Sequence, residues 1–424
     1  MILLLVCFAA FMLFGVPVAY SMLAASVIYV ITNGMSLLQV VITTTSAIGE
    51  SFTIIAIPFF ILAGNIMNNG GITRKIFHFA DVCVGWITGG LGHVNILSSV
   101  IFSGMSGAAV ADAGGLGAIE LEAMREAGYD DDFSLAITGA SSIIGPIIPP
   151  SIPAVTFGVA GGVSVGALFA AGVIPGIIMA LAMGVMVYFF AKKRNYSVRT
   201  KPTVKEALLA LLDGFFELLT PVILIGGISL GVFTPTEAAA VCVLYALVLC
   251  FATRSIHIKE LPRFIRETIE NTVGVTIIIA AASIFAYILT IEQVPHMLTG
   301  FFIENVSTKA EALLLINLIL LIVGCFMETM AALTVLTPIL LPVAVSFGID
   351  PVHFGLIMIL NLMIGLLTPP VGSVLYVLAG ISNCKFEAIA KAILPYIGVL
   401  IIVLLILTFA PGIVLFLPKA LGMI

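Results

Sequence analysis

Charge is what this sequence has least of. Only 9% of its 424 residues are Asp, Glu, Lys or Arg, where a soluble globular domain carries roughly a quarter. The 17 positive residues form no run suited to a phosphate backbone, which excludes nucleic acid as a partner. Cysteine is sparse as well. Cys7, Cys83, Cys242, Cys250, Cys325 and Cys384 lie scattered in apolar segments with no CxxC pair, so neither a disulfide framework nor a thiolate metal site is expected. Five histidines show no HExxH and no ligand spacing. An intramembrane hydrolase would need such a motif, a paired Asp or a Ser–His set in apolar segments, and none is found. The N-terminal stretch MILLLVCFAAFMLFGVPVAY lacks a basic region and a small-residue cleavage site, and it reads as a first membrane segment rather than a removable signal.

What is abundant is apolar length. The chain is 61% hydrophobic, with a mean hydropathy of +1.26. Its repeated apolar runs approach the roughly 20 residues that span a bilayer as helix, so an all-α polytopic membrane protein is expected. The positives gather at Arg74–Lys75, in KKRNYSVRTKPTVK (192–205) and at Arg254–Arg266. If those are cytoplasmic, crossings fall at about 131–158, 166–191, 214–232, 236–253, 268–291, 352–378 and 389–410, and only Lys309 and Lys419 lie on the far side.

Two apolar stretches do not fit as simple crossings. Charge placement makes 94–126 leave and return on the cytoplasmic side, and 310–347 on the outer side. Each is interrupted at its centre, by SGMSGAA (103–109) and GCFMETMAA (324–332). Two re-entrant hairpins entering from opposite faces are therefore expected. An internal repeat supports them. At an offset of 220 residues Gly104 meets Gly324, Gly128 meets Gly348, Asp130 meets Asp350 and Gly145 meets Gly365. Pro149–Pro150 likewise meet Pro369–Pro370, and Pro175 meets Pro395. Five crossings separate the hairpins, an odd number, so the copies are inverted. Paired interrupted helices in inverted copies point to a secondary transporter with its site near the bilayer midplane.

The prolines supply the chemistry. Within a helix Pro149 and Pro369 would free the carbonyls of Gly145 and Gly365, which lipid does not tolerate but a polar cavity does. The tips offer the hydroxyls of Ser103, Ser106 and Thr329. Hydroxyl and carbonyl oxygens suit a hard cation such as Na⁺, and the N-termini of half-helices suit a carboxylate. A channel is the less favoured reading, because inverted re-entrant loops with ion sites argue for alternating access.

The stretch SGMSGAAVADAGGLGAIELEAMREAGYDDDFSLAITGASSIIGPIIPPS (103–151) and the later GLLTPPVG (365–372) resemble the large membrane subunit of tripartite ATP-independent periplasmic (TRAP) transporters, the DctM-type permease, and the likeness runs essentially end to end. The resemblance implies a bacterial inner-membrane protein working with a small four-helix membrane subunit and a periplasmic substrate-binding protein. It also implies Na⁺-coupled uptake of organic acids by an elevator movement. It maps a first Na⁺ site to Ser103, Ser106, Gly145 and Pro149, and a second to Gly324, Thr329, Gly365, Thr368 and Pro369. Glu328 stands where the first tip has Ala108, so the two sites are not chemically identical. Among acids handled by such permeases are C4-dicarboxylates, sialic acid and keto acids, and overall resemblance favours sialic acid. A self-sufficient Na⁺/carboxylate symporter of the same architecture is the alternative.

Four units are expected: 1–93 as N-terminal scaffold and arm, and 94–191 as the first hairpin and broken helix. Residues 192–309 would form a cytoplasmic loop, scaffold helices and a second arm, and 310–424 the second hairpin, broken helix and C-terminal helix. The arms are the amphipathic RKIFHFADVCVGWITGG, with His78 and Trp86, and its outer counterpart 292–308. Asp112 and Glu328, ionisable groups at membrane depth, belong either to the site or to hairpin hydrogen bonding. If Glu328 belongs to the site, Glu328→Gln weakens Na⁺-driven uptake. Glu120, Glu122, Arg125, Glu126 and Asp130–Asp132 read as a solvated cytoplasmic face with anchoring ion pairs. Asn65 and Asn361 read as helix–helix hydrogen bonds, with a place near the cavity as the less favoured alternative.

Overall fold

A computed structural model describes residues 1–196, 200–229 and 231–424, which form α-helices and two short 3-10 turns without a strand. Seven helical segments among them are long and apolar enough to cross a bilayer. A helix pairs its own backbone groups, which lipid requires. Residues 197–199 of the positive loop and 230 of the crossing expected at 214–232 lie outside the described residues.

The chain opens with α1 (Ile2–Leu13), α2 (Val18–Thr32), α3 (Leu37–Gly49) and α4 (Ala56–Asn69). The N-terminal stretch is thus not one crossing. Gly15, at φ +79°, and Pro17 end α1 and separate it from α2, and at 1.5 Å per residue the two reach only about 18 and 22 Å. They pack against each other instead.

The amphipathic α5 (Ile72–Val84) follows, and then the first hairpin. In it α6 (Gly90–Ser106) enters, Gly107 turns the chain at φ +63°, and α7 (Ala109–Gly114) and α8 (Leu116–Glu126) return. Next comes a broken crossing, α9 (Asp131–Ser142) and α10 (Ile152–Gly161), and a full one, α11 (Val165–Arg194). A bent pair, α12 (Val204–Asp213) and α13 (Phe215–Ser229), leads to α14 (Pro235–Ala252) and α15 (Leu261–Ile291). The second copy then runs through α16 (Val294–Asn305) and the hairpin of α17 (Lys309–Phe326) and α18 (Thr329–Ser346). It continues with the broken α19 (Pro351–Gly365) and α20 (Ser373–Ser382), then α21 (Phe386–Phe409), and the chain closes on α22 (Pro411–Ala420).

The offset survives in three dimensions. Shifting the starts of α5, α6, α9 and α11 by 220 gives 292, 310, 351 and 385, and the helices of the second copy start at 294, 309, 351 and 386. Each arm lies against its own hairpin, α5 on α6 and α16 on α18. The copies also interlock, with α10 packed on α18 and α7 on α20.

The broken helices occupy the centre. Residues 133–142 of α9 and 352–365 of α19 are buried throughout, so their polar irregularities are kept from lipid. Asparagines fasten them to the hairpins. Asn95 on α6 donates to Thr138 at 2.8 Å and to Glu120 at 2.7 Å, and accepts from Ser141 at 2.6 Å. In the second copy Asn361, the repeat partner of Ser141, donates to Asn317 at 2.9 Å, and Asn317 donates to Thr408 at 3.0 Å. Side-chain hydrogen bonds between helices take over part of the role that the hydrophobic effect has in water.

Candidate transport site

Both hairpin tips touch the breaks they were expected to face. The Ile152 N–H approaches the Gly107 carbonyl at 3.4 Å, and the Val371 N–H donates to the Cys325 carbonyl at 3.2 Å. Each break carries a cis peptide bond, Pro149–Pro150 and Pro369–Pro370. Backbone-to-backbone contact is closest at Gly365, where a Cβ would lie 2.5 Å from the Gly324 carbonyl carbon and oxygen.

The prolines do not act quite as the sequence suggests. α9 has already ended at Ser142, so Pro149 lies beyond the helix and does not itself expel the Gly145 carbonyl. In the second copy the Gly365 carbonyl is not free, because the Thr368 N–H donates to it at 3.0 Å. The chain folds into a tight turn before it reaches Pro369, and that turn satisfies the carbonyl at the helix end. The breaks also differ in exposure. Residues 143–151 are buried throughout, whereas Pro369, Pro370 and Val371 are exposed.

In the first copy Ser106 donates its hydroxyl to the Asp112 carboxylate, and Asp112 lies against Gly145. Ser103 is buried beside them on α6 with its hydroxyl donated to the Val100 carbonyl at 2.5 Å. In the second copy Gly324 packs on Gly365, and Thr368 donates to the Ile364 carbonyl at 2.9 Å. The hydroxyls of Ser103 and Thr368 spend their protons on their own helices and keep lone pairs for a cation. Two oxygens, Asp112 Oδ2 and Thr329 Oγ1, are buried without a hydrogen-bond partner, one at each tip. An orphaned buried acceptor is costly, and the set suits a hard cation such as Na⁺.

Between the tips lies a cavity of about 440 Å³, touched by both copies and by α4 and α15. Ser106 and Thr329 reach it from the tips, and Asn65 and Asn271 from the opposite wall. The first residues of α10, α18 and α20 line it, so three helix N-termini converge there. Ser151 caps α10 through the Ala154 N–H at 3.1 Å and Glu328 caps α18 through the Ala331 N–H at 3.0 Å, while α20 has no side-chain cap. Converging positive ends suit an anion without any Lys or Arg in the wall, and the carboxylate among the lining residues, Glu328, is engaged as the cap of α18.

Glu328 caps α18 and, exposed there, faces the cavity. Asn361 lies away from the cavity in the helix–helix contact expected of it. Asn65 makes such a contact too, donating to Thr268 at 3.1 Å, yet also faces the cavity. Glu120 does not belong to the solvated face. It is buried, one oxygen taking the Asn95 amide and the other unpartnered. It falls on the inward side of α8, a placement that spacing among its acidic neighbours conceals. The remainder of that group is a surface cluster: Arg125 pairs with Asp131 at 2.6 Å, and Arg194 with Asp130 at 2.8 Å and Asp132 at 2.7 Å. Sequence reading missed Asn68, Asn271 and Ser373, which reach the cavity from separate helices. Their one available signal was polarity within apolar runs.

Known proteins resemble this chain in fold and in sequence. The YdaH transporter of Alcanivorax borkumensis, whose crystal structure was described as having an unusual topology, superposes with a TM-score of 0.66 over 89% of this chain and 88% of that one. The two are 12% identical, a likeness of fold alone. The sialic acid TRAP transporter large permease protein SiaM of Vibrio cholerae is 45% identical over 96% of this chain and 95% of its own. The C4-dicarboxylate TRAP transporter large permease protein DctM of Pseudomonas aeruginosa is 36% identical over 88% of each. Residues 5–413 match the family described as the tripartite ATP-independent periplasmic transporter, DctM component. With its hairpins, broken helices and central cavity, the chain belongs to that family: it is a TRAP transporter large permease, a multi-pass membrane protein and not an enzyme.

Proposed function

We propose that this permease couples the inward movement of an organic acid to Na⁺. The single observation that carries the reading is the cavity bounded at once by both hairpin tips, both breaks and the facing helices α4 and α15. Na⁺ is held at the two tip–break contacts, the first by Ser103, Ser106, Gly145 and Pro149, the second by Gly324, Thr329, Gly365, Thr368 and Pro369. The acid's carboxylate sits between them, at the N-termini of α10, α18 and α20. A cavity of about 440 Å³ is within the usual range for a small ligand.

Coupling follows from linkage. Na⁺ fixes each tip against its break, and both tips wall the cavity, so the acid binds more tightly when the ions are present, and the reverse holds by the same factor. Hairpins and broken helices then travel as one body past α4 and α15, an elevator movement for which the arms α5 and α16 act as hinged struts. A small four-helix membrane subunit enlarges the static frame, and a periplasmic binding protein delivers the acid. The similarity to SiaM favours sialic acid as that cargo.

The test is uptake in proteoliposomes containing the permease and its small subunit, with the binding protein outside. Uptake of sialic acid is expected with an inward Na⁺ gradient and lost when K⁺ replaces Na⁺. Uptake indifferent to Na⁺, or driven equally by a proton gradient, rejects the coupling. Full uptake without the binding protein favours a self-sufficient symporter.

A further inference from the structure

Negative charge is placed differently at the two tips. Asp112 is 2% exposed. One of its oxygens accepts the Ser106 hydroxyl, and the other, Oδ2, has no partner. Oδ2 faces the break: a Cβ built on Gly145 would lie 2.1 Å from it. No Lys or Arg pairs with this carboxylate among the described residues. A buried, unpaired carboxylate costs several kcal/mol. Oδ2 receives no hydrogen bond, so its lone pairs are free. A cation beside Oδ2 uses the free lone pairs, cancels the charge, and finds the Ser106 hydroxyl oxygen and the Gly145 backbone close by.

We propose that Asp112 is itself a cation ligand of the first tip–break pocket, giving that pocket a formal negative charge that the second pocket lacks. The proposal rests on the Na⁺-coupled reading above. In the second copy the position 220 residues on is Ala332, and the carboxylate present there, Glu328, is exposed and engaged in capping α18. The first pocket therefore holds its ion more tightly and fills first. The second is a neutral cage, completed by Thr329 and backbone oxygens.

The experiment is a Na⁺ titration of the purified permease with its small subunit, at constant ionic strength with K⁺ as balance, read as the shift in thermal unfolding. The wild type is stabilised by Na⁺. Asp112→Asn is expected to raise the Na⁺ midpoint by about tenfold or more, while its melting temperature without Na⁺ is unchanged or higher, since an uncompensated charge has been removed. If instead the midpoint stays within about twofold, or only the Na⁺-free melting temperature falls, Asp112 is structural and the proposal fails. Gly145→Ala approaches the same point from the other side. Its methyl group displaces Oδ2 while Asp112 remains, so the midpoint must rise there too, and this variant decides if Asp112→Asn does not fold. A wild type unaffected by Na⁺ overturns the coupled reading and this proposal together.

Discussion

The two tip–break units share a backbone plan and differ in almost every side chain that matters. Both place a glycine-bearing tip against a Pro-Pro break, and both fasten the broken helix to the hairpin through an asparagine. The first unit is closed. Its break is buried, and its carboxylate is buried with a free oxygen turned to Gly145. The second is open at Pro369–Val371, its carboxylate is exposed on a helix N-terminus, and its closest contact is backbone on backbone. A repeat can thus fix where two ions would bind while leaving each copy to set its own charge.

The difference is sharpest at the matched glycines. A methyl group on Gly365 meets the Gly324 backbone at 2.5 Å, which cannot rotate aside, whereas one on Gly145 meets the end of the Asp112 side chain, which can. Gly365→Ala is therefore expected to be the most damaging change considered, costing about 3 kcal/mol or more of stability and abolishing Na⁺-dependent uptake. Gly145→Ala should leave most of the stability in place. Thermal unfolding of the two variants side by side checks the order. Equal losses would mean that the first contact is as rigid as the second.

Glu328 separates the carboxylates by kind of effect. It accepts the Ala331 N–H at the start of α18, so Glu328→Ala should lower stability by about 1 kcal/mol, the usual worth of an N-cap. The Na⁺ midpoint should move by less than about twofold. That is the reverse of the pattern expected for Asp112→Asn. A large rise in the midpoint for Glu328→Ala would make the second pocket charged as well and remove the asymmetry.

Glycine and proline made the architecture legible. Gly104, Gly145 and Pro149–Pro150 recur 220 residues later, and the start of α19 at 351 falls where the offset puts it. Hairpin limits expected at 94–126 and 310–347 from apolar length and charge placement are observed at 90–126 and 309–346. What spacing could not convey was which side of a helix an acid faces. Glu120 lies among charges that are solvated and is itself buried, because α8 turns it towards Asn95. Nor could it convey local turn closure, which satisfies the Gly365 carbonyl before Pro369 is reached. Asn271 and Ser373 meet at one cavity only through packing between helices distant in sequence.

The smallest effects lie at the matched aspartates that begin the two broken helices. Asp350 caps α19, accepting the Val352 N–H at 2.8 Å and the His353 N–H at 3.2 Å. Asp130 makes no such cap on α9. Its carboxylate is turned to Arg194 and the Tyr196 hydroxyl, both at 2.8 Å, on a surface where its side chain remains 58% exposed. A cap removed by alanine costs about 1 kcal/mol, whereas an exposed ion pair contributes about 0.5 kcal/mol or less, and Arg194 keeps Asp132 as a partner in any case. Asp350→Ala should therefore lower the melting temperature more than Asp130→Ala, and only the smaller loss should shrink further in high salt, because screening acts on the ion pair and not on the cap. If Asp130→Ala proves the costlier change, the surface cluster holds the first broken helix in place more firmly than its exposure allows, and that end of the first copy is then a fixed anchor.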